Sequence, residues 1–477
     1  MKNTFRIAAP QFEGLMAHLF PGDADEHGAV IAAGVSRTAR GNQFLAREVL
    51  LAKDGVDYVP GRHGYRALTA DFVARCSHYC EQQKLAYFAV HCHRGRDAVE
   101  FSDDDRASHR RGYPALVDIM QPAPVGALVF AQNAVAGEIW SRAGVAPLSG
   151  MTVVGNKHRR LYPSPRIAPS LDPAYHRQSM LFGAAGQHLL AGAKIGVIGL
   201  GGAGSLISQW MAHLGVGEIV GIDFDTLDPT NQPRVVGATH WDARTWLAAS
   251  RWGWLRDLGH RFANHKVTIA KRVARQANPK VRFTGVIGNI VDAGTARLLC
   301  DCDFIFLCAD TAQSRLVFNA IVHQFLIPGI QVGSKVTTDS ATGKVTDVFV
   351  AERPVYPVEN GGCLQCNGLI SADQLQREAL SHDERRRQAY VDDANVTAPS
   401  VITLNALACA QAADDFLFSF LGLCDEDRRE GYLMHFPRER IWRPAACTLQ
   451  PDCLHCGTAK QSAYARGDAV ALPCKIR

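Results

Sequence analysis

The spacing of apolar and polar positions divides the chain into two halves with different rhythms. In the first, "KLAYFAVHCH" (84–93) and "ALVFAQN" (127–133) read as strands. "PQFEGLMAHLF" (10–20) and "ALTADFVARCSHYCEQQ" (67–83) return apolar residues every three or four positions, as amphipathic helices do. The expectation is a mixed α/β domain of the α+β kind. In the second half, "AKIGVIGLGGAGSLISQWMAHLGVGEIVGIDFD" (193–225) runs strand, glycine turn, helix, strand. That order is a βαβ unit and requires a parallel sheet. "DFIFLCAD" (303–310) and "GIQVGSKV" (329–336) supply further strands of it.

Between the halves, "LYPSPRIAPSLDP" (161–173) carries Pro163, Pro165, Pro169 and Pro173, which exclude a long helix or a central strand. A length of 477 residues exceeds what one hydrophobic core usually supports, so the seam predicts domains at 1–160 and 174–477 joined by a 161–173 linker. With 47% hydrophobic and 20% charged residues, the composition is that of a globular protein. A net charge of +5, with its cations scattered, argues against a nucleic-acid partner. No stretch approaches the length of a membrane span, and the N-terminus lacks the apolar run of a secretion signal. Fourteen cysteines including two Cys-x-x-Cys pairs then read as metal chemistry in a reducing, cytoplasmic setting.

Strand alternation places His91 and His93 of "HCH" on one face, where both imidazoles can reach one ion, with Asp105 as a third ligand. The same stretch also makes a good helix start, with Ser102 as capping residue before "DDD". Spacing alone leaves both readings open.

The order His91-x-His93, Ser102-x-x-Asp105 resembles the signature of the JAMM (MPN+) zinc isopeptidases. The resemblance covers roughly residues 1–160 and is loose outside these motifs. It implies an upstream glutamate as general base, and Glu26 in "DEHGAVIAAG" stands in that setting; Glu48, in an apolar strand pattern without a following glycine, is the rival. It further implies a catalytic Zn²⁺ on His91, His93 and Asp105, with Ser102 donating to the oxyanion. Arg94 departs from the family, many of whose members carry proline there.

"GLGGAG" (Gly199, Gly201 and Gly204 its outer and middle glycines) follows a strand and opens a helix, so backbone N–H groups and the helix dipole can hold phosphate. Asp223 at the end of the next strand suits a ribose hydroxyl, and would serve NAD as readily as ATP. Asn231, Arg234 and Lys266 follow, and cations there favour a triphosphate. This series resembles the ThiF/MoeB/ubiquitin-activating superfamily, over about residues 174–460. The likeness extends through "LCADTAQSRLVFN", "APSVITLNALACAQAA" and "YHRQSMLFGAAGQHLL". It implies a Rossmann-like fold and ATP-dependent adenylation of a ubiquitin-like protein's terminal carboxylate. Asp310 would hold Mg²⁺, Arg234 and Lys266 the phosphates, and Arg177 would enter the ATP site of the second subunit of a homodimer.

"CLQC" (Cys363, Cys366) and "CLHC" (Cys453, Cys456) match a closed tetrathiolate Zn²⁺ site of structural role, clipping the tail onto the domain, with Cys447 and His455 as substitutes for a ligand. Relatives that carry the modifier as a thioester generally have a cysteine after the first knuckle; residues 367–400 contain none. Cys409 lies in an apolar helix pattern and reads as core, and Cys424 and Cys447 are weak candidates. The combined expectation is a bifunctional enzyme of a bacterial ubiquitin-like conjugation system, with a conjugating enzyme as a further partner and, by family resemblance, an antiviral setting. Alternatives are sulfur-carrier activation for cofactor synthesis, an inactive scaffold and, least favoured, a nicotinamide dehydrogenase.

Overall fold

In a computed structural model, all residues are described except 1, 62–63, 65, 169, 340–341, 343, 358–362, 380–399, 426–430, 458 and 476–477. The first half contains β1 (Lys2–Ala8), α1 (Ala9–Leu19), β2 (Gly28–Thr38), β3 (Gly41–Leu51), α2 (Ala70–Gln83), β4 (Ala86–Cys92) and α3 (Asp103–Ile119). It continues with β5 (Val125–Phe130), β6 (Val135–Ser141), β7 (Gly144–Pro147), β8 (Gly150–Val154) and β9 (Arg159–Leu161). These strands form one mixed sheet in the order β7-β6-β5-β4-β2-β3-β1-β8-β9.

Helix α1 covers one face of this sheet, packing Phe12 and Leu15 on Phe5, Phe44 and Phe130; α2 and α3 cover the other with Phe72, Cys76 and Tyr113. Helix α2 starts on a Thr69 cap whose hydroxyl accepts from Phe72 N, and α3 on the predicted Ser102 cap. Both satisfy donors that a helix start leaves open.

The second half runs α4 (His176–Gly192), β10 (Lys194–Ile198), α5 (Gly202–His213), β11 (Glu218–Ile222), α6 (His240–Ala243), α7 (Thr245–Ala248), α8 (Gly253–Phe262) and α9 (Lys266–Ala277). There follow β12 (Arg282–Val286), α10 (Ala293–Arg297), β13 (Phe304–Leu307), α11 (Ala312–Gln324), β14 (Gly329–Thr338), β15 (Val345–Val355) and α12 (Ala372–Ala379). The last elements are α13 (Ile402–Phe420), β16 (Tyr432–Phe436) and β17 (Ile441–Ala445). Strand order is β12-β11-β10-β13-β14-β15-β16-β17, parallel through β14 and antiparallel beyond it. This is the doubly wound, Rossmann-like arrangement with an antiparallel extension. α5, α9 and α13 pack one face, with Ile207, Met211 and Phe416 on Phe304 and Phe306; α10 and α11 pack the other. The opening helix α4 is broken at Gly183, whose φ of 72° only glycine adopts readily. Among the described residues no helix is long and apolar enough to cross a membrane.

The two sheets are joined by arginines that reach backbone carbonyls across the seam. Arg6 donates to Cys302 O at 2.9 Å and Phe325 O at 3.1 Å; Arg160 donates to Phe420 O at 2.7 Å. Arg47 donates to Tyr464 O and, at 2.9 Å, to Ala459 O. The tail adds a strand-like bridge between Gly467 and Val35, and its Ala465 O stands 2.1 Å from where a Cβ on Gly34 would lie. Residues 459–468, grouped by sequence with the second domain, therefore also line the first. Apolar patterning does not register this contact, because polar side chains make most of it.

Candidate functional sites

Three clusters gather the residues singled out in the sequence. The first lies at the C-terminal end of β4. Its alternation places His91 and His93 with Nε2 atoms 3.2 Å apart. Asp105, in the first turn of α3, brings Oδ1 to 3.4 Å from His91 Nε2 and Oδ2 to 3.2 Å from His93 Nε2. Ligand distances of about 2.0–2.1 Å in a tetrahedron imply donor separations near 3.3 Å, and the two imidazole nitrogens and the Asp105 carboxylate lie at spacings of that order, so the three side chains could hold one Zn²⁺. His93 Nδ1 lies 3.1 Å from Glu100 O, an outer partner of the type that orients a ligating imidazole.

Glu26 Oε1 is 4.0 Å from His93 Nε2, and burial raises its carboxyl above the ordinary range against the pull of both histidines. Ser102 forms a capping box: its hydroxyl donates to Asp105 Oδ2 at 2.7 Å and accepts from Asp105 N at 3.1 Å. Burial alone would raise the Asp105 carboxyl, but hydrogen bonds from His91, His93 and Ser102 hold it far below its ordinary range. The ligand and cap readings of the "SDDD" stretch thus describe the same atoms. A cleft of about 790 Å³ opens beside the cluster, lined in part by Glu26, His93, Arg94, Ser102 and Asp104. Glu48 lies elsewhere on β3, bonded to the Tyr79 hydroxyl.

The second cluster sits at the C-terminal ends of β10, β11 and β13, where doubly wound sheets bind ligands. Gly199 has a φ of 84°, and a Cβ on Gly204 would lie 1.8 Å from Gly199 O, so the turn closes only with glycine at these positions. Asp223 Oδ2 accepts from Leu200 N at 2.7 Å and Oδ1 from Asp225 N at 2.8 Å, which ties β11 to the glycine turn. Burial raises the Asp223 carboxyl, opposed by Lys266. Lys266, buried at the start of α9, donates to Asp225 Oδ2 at 2.6 Å. Arg234 bonds Asn231 Oδ1 within the loop after β11. Asp310 is exposed just past β13.

Arg177 stands exposed on α4 and makes no ion pair or hydrogen bond among the described residues, so this chain alone does not bring it to the glycine turn. The sequence reading passed over Asp225, although the alternating acids of "DFD" carry the signal for it. It also passed over Glu378 of α12, whose carboxylate accepts from Ala312 N and Gln313 N at 2.8 and 2.9 Å, beside Asp310.

The third cluster joins Cys363 and Cys366 to Cys453 and Cys456, all buried, with the four Sγ atoms within 4.8 Å of one another. The 3.9 Å between Cys363 and Cys453 and the 3.6 Å between Cys366 and Cys456 bracket the roughly 3.8 Å that Zn–S bonds of about 2.3 Å impose on a tetrahedron. Asn319 Nδ2 of α11 donates to Cys363 Sγ at 3.3 Å, an N–H···S contact no spacing rule suggested. His455 and Cys447 lie outside the four-sulfur set. Cys409 and Cys424 are buried, and burial pushes the Cys409 thiol well above its ordinary value. Of the stretch after the first knuckle, residues 380–399, including Ala398 and Pro399 of "APS", lie outside the described residues.

Comparison with known proteins places these sites in context. The chain is 30% identical over 148 residues to the molybdopterin-synthase adenylyltransferase of Escherichia coli strain K12, covering 31% of this chain and 52% of that protein. It is 28% identical over 194 residues to the enzyme of the same name from Salmonella typhimurium, covering 40% and 66%. Against the sulfur carrier protein ThiS adenylyltransferase of Bacillus subtilis it is 25% identical over 207 residues, covering 42% and 56%. The chain thus spans about half to two-thirds of the length of these relatives. Among solved structures, E. coli MccB with MccA-N7isoASN aligns with a TM-score of 0.44 at 19% identity, covering 60% of this chain and 76% of that one. The ThiF family matches residues 175–453, more than half of the chain and all of the parallel sheet with its glycine turn, and the protein belongs to the ThiF family.

Proposed function

We propose that the protein is bifunctional: an ATP-dependent adenylyltransferase acting on the terminal carboxylate of a ubiquitin-like protein, coupled in one chain to a JAMM-type zinc peptidase spanning about residues 1–160. The observation that carries the first activity is the convergence of the glycine turn, Asp223 and Lys266 at one end of a ThiF-family sheet. The ribose would bond Asp223, and Arg234 and Lys266 would take the phosphates, with Lys266 leaving Asp225 as they arrive. Mg²⁺ would be held by Asp310 with phosphate oxygens and neutralise charge on them. A modifier carboxylate oxygen then bonds the α-phosphorus while the bond to pyrophosphate breaks, yielding an acyl-adenylate. The protein contributes position and positive charge, the two quantities such a transfer needs.

For the second activity, a Zn²⁺ held by His91, His93 and Asp105 would supply Lewis acidity that brings water toward ionisation at neutral pH. Glu26, with its carboxyl raised by burial, is suited to take that proton and pass it to the leaving amine. Ser102 would redirect its hydroxyl toward the oxyanion. The four cysteines would hold a second, structural Zn²⁺. A homodimer in which Arg177 serves the partner's nucleotide, a conjugating enzyme and a defence role complete the proposal on family resemblance alone, and a cytoplasmic location on the cysteine usage.

The names of the relatives favour a second reading, in which the substrate is a sulfur carrier. The test mixes the full chain with a small ubiquitin-like protein that ends in a free glycine carboxylate. ATP–pyrophosphate exchange and an adenylate mass increment are expected, and both should vanish in Asp310→Ala. Exchange unaffected by that substitution would refute the site assignment, and a requirement for a sulfur donor in turnover would select the sulfur-carrier reading.

A further inference from the structure

Asn405 lies in the first turn of α13, far in sequence from the glycine turn, yet its side chain is pressed against it. Its Nδ2 is 2.3 Å from the point where a Cβ on Gly202 would stand, and that same point is 3.6 Å from Arg234 Cβ. The residue is 7% exposed. Its carbonyl oxygen accepts from Ser334 Oγ of β14 at 3.0 Å, and its amide nitrogen donates to Ser400 Oγ at 3.3 Å. An amide nitrogen carries two hydrogens, and the second has no acceptor among the described residues. One helical turn on, Cys409 Sγ contacts Ala203 O at 3.4 Å, so α13 braces the start of α5 at consecutive residues.

We propose that Asn405 is a positioning residue for the nucleotide, clamping the Gly202 turn between β14 and α13 and keeping one amide hydrogen for a phosphate oxygen. The first N–H groups of α5 are the donors that a helix start leaves open to anions, and their aim depends on how the turn is seated. Asn405 meets that turn at Gly202, where any β-carbon would displace it. The inference rests on the adenylation reading above, since it presupposes a nucleotide at this turn.

The experiment measures binding of ATP and of adenosine to the full chain by calorimetry, for the wild type, Asn405→Ala and Asn405→Asp. A clamp on the phosphate side predicts ATP affinity weakened about tenfold in Asn405→Ala with adenosine affinity kept within about twofold. Asn405→Asp, which puts a negative charge beside the phosphates, should weaken ATP further while again sparing adenosine. Equal losses for both ligands, or none for either, would overturn the inference and leave the adenylation reading standing. A wild type that binds neither ligand would sink both. If Asn405→Ala does not fold, Ser334→Ala, which removes only the hydroxyl donor to Asn405, carries the same comparison.

Discussion

The Ser102 hydroxyl donates to the Asp105 carboxylate at 2.7 Å, so the group suited to steady an oxyanion is tied to a candidate metal ligand. One hydroxyl serves both as helix cap and as candidate catalytic donor. Ser102→Ala should therefore cost about 1 kcal/mol of stability through the lost cap. Peptidase turnover should fall roughly 10²–10³-fold with metal content unchanged. Cleavage rate and metal analysis on the same sample check both.

Two separate donor sets predict independent metal loss. The purified chain should carry about two Zn²⁺ per molecule; His91→Ala should remove one and Cys453→Ser the other, each leaving its neighbour in place. Chelator competition followed by metal analysis measures this. Cys453→Ser should also lower the melting temperature, because that site joins residues 90 positions apart.

At the glycine turn, Gly204→Ala places a methyl group 1.8 Å from the position of Gly199 O, too close to be absorbed without moving the backbone. ATP binding should weaken at least about tenfold, by calorimetry, whereas Gly294→Ala, with open space around its Cβ position, should leave it unchanged.

His158 is buried where β8 and β9 meet the end of α13, and neither ring nitrogen has a hydrogen-bond partner among the described residues. Burial, reinforced by Arg160 and Arg6, holds its imidazole well below the ordinary 6.5. Below that value the unfolded chain binds a proton the folded one refuses, so stability falls as pH drops beneath about 6.5, by up to about 1.4 kcal/mol per pH unit. His158→Phe should flatten this acid limb of the stability curve in denaturant titrations between about pH 5 and pH 7.5.

Arg6 is buried and satisfies two carbonyls of the second half, one just before β13 and one at the end of α11. Arg6→Met should leave them unpaired at a cost of about 2–4 kcal/mol. With the seam intact, calorimetry should show one cooperative transition for both halves; two well-separated transitions in the wild type would contradict the joined arrangement.

Much of this was legible in the sequence because local rules decide it. The β10–α5–β11 unit, the Ser102 cap and the start of α9 at Lys266 each follow from residues within one turn of the feature. His91 and His93 share a face because strands alternate. What escaped depends on contacts between residues distant in the chain: Asn405 against Gly202, Glu378 on the start of α11, Asn319 beside Cys363, and the arginines of the seam. Such polar residues resemble solvated surface in any pattern, since only the fold determines which carbonyl or turn they meet. The break at Gly183 is of the same kind: glycine inside a helical pattern permits a kink without requiring one.

Helix α11 is thirteen residues long, a rod of about 20 Å. Its first amides hold Glu378 beside Asp310, its middle reaches a cysteine sulfur through Asn319, and at its far end the His323 carbonyl accepts from Ala465 of the tail. A shift along its axis would disturb the rim of the candidate nucleotide site, the four-cysteine cluster and the strap across the first sheet together, so any adaptation of one of the three must be made around a shared spindle.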